Sequence, residues 1–241
     1  MTAPAPGTLI GSGRNADVYD IGGGRVLRRY RDGRESRWVE AEAAVMARAR
    51  ALGVPVPALF DVAGPDLVME RADGPSMLEA LGRRPWTVAA QARLLARLHA
   101  LVHQVPAAGL PELPASRRAG VGVGAGHGDG DVLLHRDLHP QNVILTGGGP
   151  VIIDWEGAAR GPAIADIAMT WVIIGFSDVP GSGLSAAVTR GGQQAFTRAF
   201  VRAAGPLDEG WRLSAVRQRL TDPNLLPTEA ARLEKLLARA G

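Results

Sequence analysis

HRDLHPQNVIL at 135–145, followed by VIIDWEGAARG at 151–161, is the stretch on which the fold turns. It places Asp137, then Asn142 five residues on, then Asp154 twelve further, between short apolar runs. VLLH, NVIL and VIID have the length and branched-aliphatic content of strands, and GGGP between the last two is a turn signal. The pattern is strand, loop, strand, turn, strand, with Asp137 in the first loop and Asn142 and Asp154 near strand ends. Isolated Asp and Asn residues in loops usually cap turns, so the weight lies on this spacing and these flanks taken together. An Asn and an Asp that converge offer neutral and anionic oxygens, which suit Mg2+; that ion completes its shell with phosphate and water. A separate carboxylate, Asp137, can then accept a proton from an alcohol attacking phosphorus.

Upstream, LIGSGRNADVYDIGGGRVLRRYRD alternates apolar residues at strand spacing around two glycine clusters. Val18, Ile21, Val26 and Leu27 suggest two strands joined by a tight turn at Gly22–Gly24. Trp38, Ala41, Val45 and Ala49 recur at helical spacing and predict a helix over 35–52, stopped by GVPVP at 53–57. LFDVAG and DLVMER read as a hairpin around a Gly-Pro turn. After ADGPSM at 72–77 helices dominate, at 87–103 and roughly at 185–204, 207–220 and 228–239. The Gly-rich GVGVGAGHGDGD at 120–131 and SDVPGSGLSAAVT at 177–189 read as loops. The outline is a small strand-rich lobe at 1–71, a hinge at 72–77 and a larger helical lobe at 78–241.

Composition narrows the function classes. The 241 residues, 46% hydrophobic and 21% charged, are enough for a real core. There are no cysteines, which removes thiol catalysis, disulfides and cysteine-bearing zinc sites. The net charge is +3, and the basic residues form no block of five like charges, so a nucleic-acid partner is not expected. The N-terminus shows no secretory signal. The most apolar segment, AIADIAMTWVIIGF at 163–176, is too short to span a bilayer and carries Asp166. A soluble cytoplasmic protein without a membrane partner is the expectation.

HRDLHPQN followed by IIDWE resembles the kinase-like phosphotransferases, and most closely the aminoglycoside phosphotransferase family. Protein kinases share the His-Arg-Asp loop, the Asn five residues beyond it and a later Asp-Phe-Gly. Here His139 stands where protein kinases for Ser or Thr carry Lys, and Asp154-Trp155-Glu156 replaces Asp-Phe-Gly; both departures look like the aminoglycoside family and its small-molecule relatives. The resemblance runs from about residue 8 to about residue 175. It implies an α+β, protein-kinase-like two-lobe fold, with ATP and Mg2+ as cofactors and a small-molecule hydroxyl acceptor.

The resemblance also implies roles. GSGRNADVY looks like the Gly-rich turn over the ATP phosphates, with backbone amides around Ser12, Gly13 and Arg14 covering them and Val18 in the same segment. Glu42 stands where the family pairs a glutamate with its phosphate-binding cation. Met69 would sit behind the adenine, with the Glu70 carbonyl and the Ala72 amide bonded to its edge. Asn142 and Asp154 would hold Mg2+, Asp137 would deprotonate the acceptor hydroxyl, and Asp166 would anchor the catalytic loop from behind. His139, close to the phosphate, stands beside that anchor in a supporting role, and His135 reads as scaffold.

One expected residue is missing. The strand lysine that grips phosphates is absent, because Lys235 is the chain's only lysine. The same fact rejects a Walker-type phosphate loop. Alternation along RVLRRY puts Val26 and Arg28 on one face and Leu27 and Arg29 on the other. Arg28 is the favoured substitute, since Val26 would then face the adenine, and a guanidinium fork can hold phosphate and Glu42 together.

The leading expectation is therefore an ATP-dependent phosphotransferase acting on a small-molecule hydroxyl. The missing lysine motivates a rival, a catalytically weak or inactive nucleotide-binding protein of the same fold. A metal-dependent hydrolase using His135, His139 and Asp154 is a third class. His99 and His103, four apart on a helix, could chelate a metal, but no third ligand is evident near them in sequence. From 160 to 241 there are seven acidic and ten basic residues, a balance that does not suggest a pocket for a polycation.

Overall fold

A computed structural model describes residues 6–13, 15–31, 35–111, 131–178 and 183–240. Arg14 and nearly all of the Gly-rich stretch expected as a loop at 120–131 lie outside the described residues.

The smaller lobe is built on one antiparallel sheet. Its strands are β1 (Thr8–Ser12), β2 (Ala16–Gly22), β3 (Arg25–Tyr30), β4 (Leu59–Ala63) and β5 (Asp66–Glu70), in the order β1-β2-β3-β5-β4. Gly23 and Gly24 turn the chain between β2 and β3 at φ of 61° and 69°, a left-handed pair that glycine accepts without a Cβ penalty. Helix α1 (Ser36–Ala51) packs Val39, Val45, Met46 and Ala49 into the core. It ends where Gly53 adopts a φ of 87°.

The connection from β5 to α2 (Met77–Arg83) is pinned to the larger lobe. A Cβ at Gly74 would lie 2.2 Å from the carbonyl oxygen of Leu145, so only glycine fits there without moving backbone. The Leu145 amide donates to Pro75 at 2.9 Å. Ser76 then caps α2 in a reciprocal pair with Glu79.

The larger lobe follows with α3 (Val88–Val102) and four short strands, β6 (Val132–Leu134), β7 (Val143–Thr146), β8 (Gly149–Ile152) and β9 (Ala159–Gly161). These pair as two separate hairpin-like sheets, β6 with β9 and β7 with β8. Helices α4 (Ala163–Phe176), α5 (Gly183–Ala204), α6 (Glu209–Arg219) and α7 (Pro227–Ala240) close the chain. One core runs from Val26 and Leu67 in the sheet through Met77, Leu95 and Leu138 to Trp155 and Phe200. A second packs Val172 of α4 against Val216 and Leu233. No helix among the described residues is long and apolar enough to cross a membrane.

One helix not among the expected elements, and one expected loop cut short, have physical causes. Residues 163–176 form a helix although they show no helical stripe. That helix buries Asp166, Ile167, Ala168, Met169, Thr170, Val172 and Ile173, so apolar residues surround it and periodicity is lost. The expected loop at 177–189 is overturned in its second half, where α5 begins at Gly183. Its first turns are rich in Gly, Ser and small residues, and Val188 is left exposed, so no apolar stripe marks the start.

Candidate active site

The loop after β6 is held from behind by α4. The backbone amides of His135 and Arg136 donate to the Asp166 carboxylate at 3.1 and 2.7 Å. Burial works to raise the Asp166 pKa, but the contacts around it, His103 foremost, outweigh it and keep the group well below the usual carboxylate range. The Thr170 hydroxyl donates to the Leu138 carbonyl at 2.9 Å, a third tie from the same helix.

His135 is fully buried and its protonation is fixed by its neighbours. The Asp137 amide donates to Nδ1 at 3.3 Å, so Nε2 carries the hydrogen and donates to the Ile153 carbonyl at 3.0 Å. Burial lowers its pKa, in keeping with a neutral ring. The ring packs on Trp155, whose indole donates to Ile152. This employment leaves His135 no role as a metal ligand, which removes the hydrolase arrangement.

Two residues other than glycine have positive φ among those described, Arg136 at 67° and Asp154 at 66°. Both belong to the opening motif, and such strain collects where a chain must present a side chain in one orientation. Asp137 is about half-exposed, with 43% of its side chain accessible. Asn142, in a short 3-10 turn at Pro140–Asn142, donates its amide nitrogen to the Asp137 carbonyl at 2.8 Å and to Asp137 Oδ2 at 3.0 Å. His139 Nε2 lies 3.4 Å from Asp137 Oδ1. The surrounding protein pushes the Asp137 pKa up by desolvation, but His139 and then His135 and Arg219 outweigh it, and the carboxyl sits below its ordinary value.

A second cluster faces it. Arg28 Nη1 is 3.1 Å from Glu42 Oε1, and Nη2 is 2.7 Å from Asp154 Oδ1 and 3.6 Å from Glu156 Oε2. The Tyr30 hydroxyl donates to the other Glu42 oxygen. Burial opposes the charge on Arg28, but Glu42 and Asp154 overcome it and raise its pKa further. Arg29, on the opposite face, pairs with Asp66 at 2.8 Å instead. The two clusters are joined by the backbone, since the Ile153 amide donates to the Asn142 carbonyl at 3.0 Å.

The remaining expected residues lie in the smaller lobe and on the connection that leaves it. Val26 pairs in register with Met69, and Val18 with Arg28. Glu70 turns its carboxylate back to the Ala58 amide, and Ala72 is half-buried on the connection to α2. The Gly13 amide closes the turn onto Ala16 at 2.9 Å. The Ser12 hydroxyl is committed to the strands, donating to Asp17 and accepting from Arg31 at 2.7 Å each. Sequence reasoning passed over Asn15 and Glu156, where the Asn15 amide nitrogen donates to the Glu156 carboxylate at 2.6 Å between the approach to β2 and the segment after Asp154. Each lies inside a quoted motif, and an acidic residue two positions after Asp154 was the available signal. It also missed that Asp166 meets His99 and His103.

Comparisons with known proteins agree with this architecture. The sequence profile of APH, the phosphotransferase enzyme family, matches residues 6–121 and 112–213. Aminoglycoside phosphotransferase APH(4)-Ia superposes with a TM-score of 0.62 at 16% identity, covering 97% of this chain and 93% of that one. The amicoumacin kinase hAmiN, solved with AMP-PNP and Ca2+, gives 0.54 at 16% identity over 96% of this chain and 86% of that one. The ethanolamine kinase Pv091845 of Plasmodium vivax gives 0.58 at 13% identity over 94% and 80%. At these identities the likeness speaks for the fold. No curated protein sequence shows significant similarity to the chain. Two-lobe and kinase-like, with the family profile spanning both lobes, the chain belongs to the APH phosphotransferase enzyme family.

Proposed function

We propose that the protein transfers the γ-phosphate of ATP to a hydroxyl of a small molecule, with Asp137 as proton acceptor. Family and fold support the general activity, an ATP-dependent small-molecule phosphotransferase. The observation that carries the finer reading is the connection of Asp137, Asn142, Asp154 and Arg28 through one series of hydrogen bonds.

The donor chemistry suits Mg2+. Asn142 spends its amide nitrogen on Asp137, which leaves its side-chain oxygen for a cation. Asp154 commits Oδ1 to Arg28 and is 42% exposed, which leaves its second oxygen accessible. Asn142 and Asp154 would hold the ion, which when bound offsets charge on the phosphate oxygens. Arg28, positioned by Glu42, takes the place of the missing lysine as the phosphate-binding cation. The backbone around Ser12 and Gly13 covers the phosphates, Val18, Val26 and Met69 pack the base, and the Glu70 and Ala72 backbone binds its edge. Asp137 orients the acceptor hydroxyl and takes its proton, while Asp166 and His139 hold the loop and the carboxylate in place. Positioning and electrostatics supply the rate in such sites.

The Arg28–Glu42 contact answers the missing lysine, so catalysis is favoured over a binding-only role. Acceptor-dependent ADP release from MgATP, measured over a panel of amino alcohols, sugars and aminoglycosides, tests the reading. A protein that binds no MgATP in a thermal-shift titration contradicts it.

Two further outcomes are expected here. Asp154→Asn will weaken binding of Mg-nucleotide by tenfold or more in a calorimetric titration, while nucleotide without metal binds nearly as before; equal loss for both would remove Asp154 from the ion's shell. His139→Ala will shift the acidic limb of kcat/KM to higher pH, because it removes the group that most lowers the Asp137 pKa. A limb that stays put would show that another group sets it.

A further inference from the structure

His99 and His103 lie one turn apart near the end of α3, and Asp166 stands in the first turn of α4. The i, i+4 spacing gives two imidazoles one helical face, the arrangement helical metal sites use. No third ligand is near them in the chain, but the fold supplies one. Ligating atoms of all three residues lie within 4.8 Å of one another.

The contacts around His99 demand a cation. The Thr170 hydroxyl spends its hydrogen on the Leu138 carbonyl. At the 3.0 Å contact between Thr170 and His99, Nε2 must therefore be the donor. His99 Nδ1 then carries a lone pair, is fully buried and has no hydrogen-bond partner. It lies 3.4 Å from Asp166 Oδ2, lone pair against carboxylate. Such an arrangement is repulsive unless positive charge sits between them.

Distances and valence point to a metal rather than a shared proton. A charge-assisted N–H···O bond spans about 2.7–2.9 Å. His99 Nδ1 stands off from Asp166 Oδ2 at 3.4 Å, beyond that range, while His103 Nε2 reaches the same oxygen at 3.0 Å, an ordinary hydrogen-bond distance. A tetrahedral shell with bonds of about 2.0–2.1 Å has ligand-to-ligand edges of about 3.3 Å. Oδ2 also accepts the His135 amide at 3.1 Å, so two imidazole donors would crowd three partners onto one oxygen. One ion bound to both rings would need only one of its lone pairs.

We propose that His99, His103 and Asp166 form a binding site for a divalent transition metal, zinc by preference for this imidazole and carboxylate set. Thr170 orients His99, as second ligands of metal-bound histidines do. His103 keeps 11% of its side chain exposed, while His99 and Asp166 are sealed, so the ion enters and a water completes its shell on the His103 side. The site ties α3 and α4 to the loop carrying Asp137, because Asp166 Oδ1 still holds the Arg136 amide. Its nitrogen donors separate it from the oxygen-only set of Asn142 and Asp154, which suits Mg2+. It stands whether or not the proposed transfer reaction is correct.

The test uses the full chain, freed of any histidine tag, reconstituted with ZnCl2 or CoCl2 and dialysed into metal-free buffer. The expected result is one bound zinc per chain by elemental analysis, and with cobalt a visible absorption band of a low-symmetry site. His103→Gln, whose partly exposed ring lets the fold survive, is expected to lower both by about tenfold or more, with helicity checked by circular dichroism. Asp154→Asn is expected to leave both unchanged. Wild-type protein that retains neither metal overturns the proposal. So does zinc retained equally by His103→Gln, and so does a metal-free wild type whose His99 shows both ring N–H signals by NMR, since a proton then fills the gap.

Discussion

Asp137→Ala will lower phosphoryl transfer to the acceptor by about 10²–10⁴-fold and leave MgATP affinity nearly unchanged. The side chain is 43% accessible, and its neighbours hold it ionised by lowering its pKa. It touches Asn142 and His139, and no ion pair links it to Arg28 among the described residues. Removing it would therefore delete the proposed proton acceptor without dismantling the Arg28 cluster. Asp137→Asn keeps the shape and the contact to Asn142 but cannot take a proton, so it should lose as much. Transfer rates and nucleotide titrations on the same preparations separate the effects. A variant that consumes ATP with its acceptor at the wild-type rate removes Asp137 from the chemistry.

Arg28→Ala will cost both stability and nucleotide binding. Arg28 and Glu42 are 12% and 2% exposed in their side chains, a nearly sealed ion pair. Breaking such a pair by deleting one partner costs about 3–5 kcal/mol, because the remaining charge stays buried. Glu42 would keep the Tyr30 hydroxyl, which does not neutralise it. Arg28→Lys should recover part of the stability but little of the geometry. One ammonium is a point charge, whereas the guanidinium fork reaches Glu42 with one nitrogen and Asp154 with the other. Pairing Arg28→Ala with Glu42→Gln should give less than the sum of the two losses in urea unfolding, as expected for residues in contact. Additive losses, with MgATP binding intact, would leave Arg28 no role in holding the nucleotide.

The parts of the molecule that a linear reading could reach are those whose signal is local. Spacing among Asp137, Asn142 and Asp154 survives folding because the three lie on one loop and one hairpin. Alternation along RVLRRY separates Arg28 from Arg29, and the fold sends them to Glu42 and to Asp66. Helix α4 gave no such signal, since burial on most of its faces erases the polar stripe that makes a helix legible. The ties that hold the site escaped for a different reason. Asn15 and Glu156 are 141 positions apart, and Asp166 is 31 from the His135 amide it accepts. No periodicity encodes contacts of that range. They follow from how the two lobes and α4 pack, and packing is a property of the whole chain.

A crystal of the full chain grown with Mn2+ and a non-hydrolysable ATP analogue offers the most direct trial, read from the anomalous scattering of manganese. The expected peak falls between the side-chain oxygens of Asn142 and Asp154, with the terminal phosphates beside Arg28 and the last phosphorus turned toward Asp137. A nucleotide bound away from Arg28, or a manganese peak that neither Asn142 nor Asp154 touches, would contradict the account.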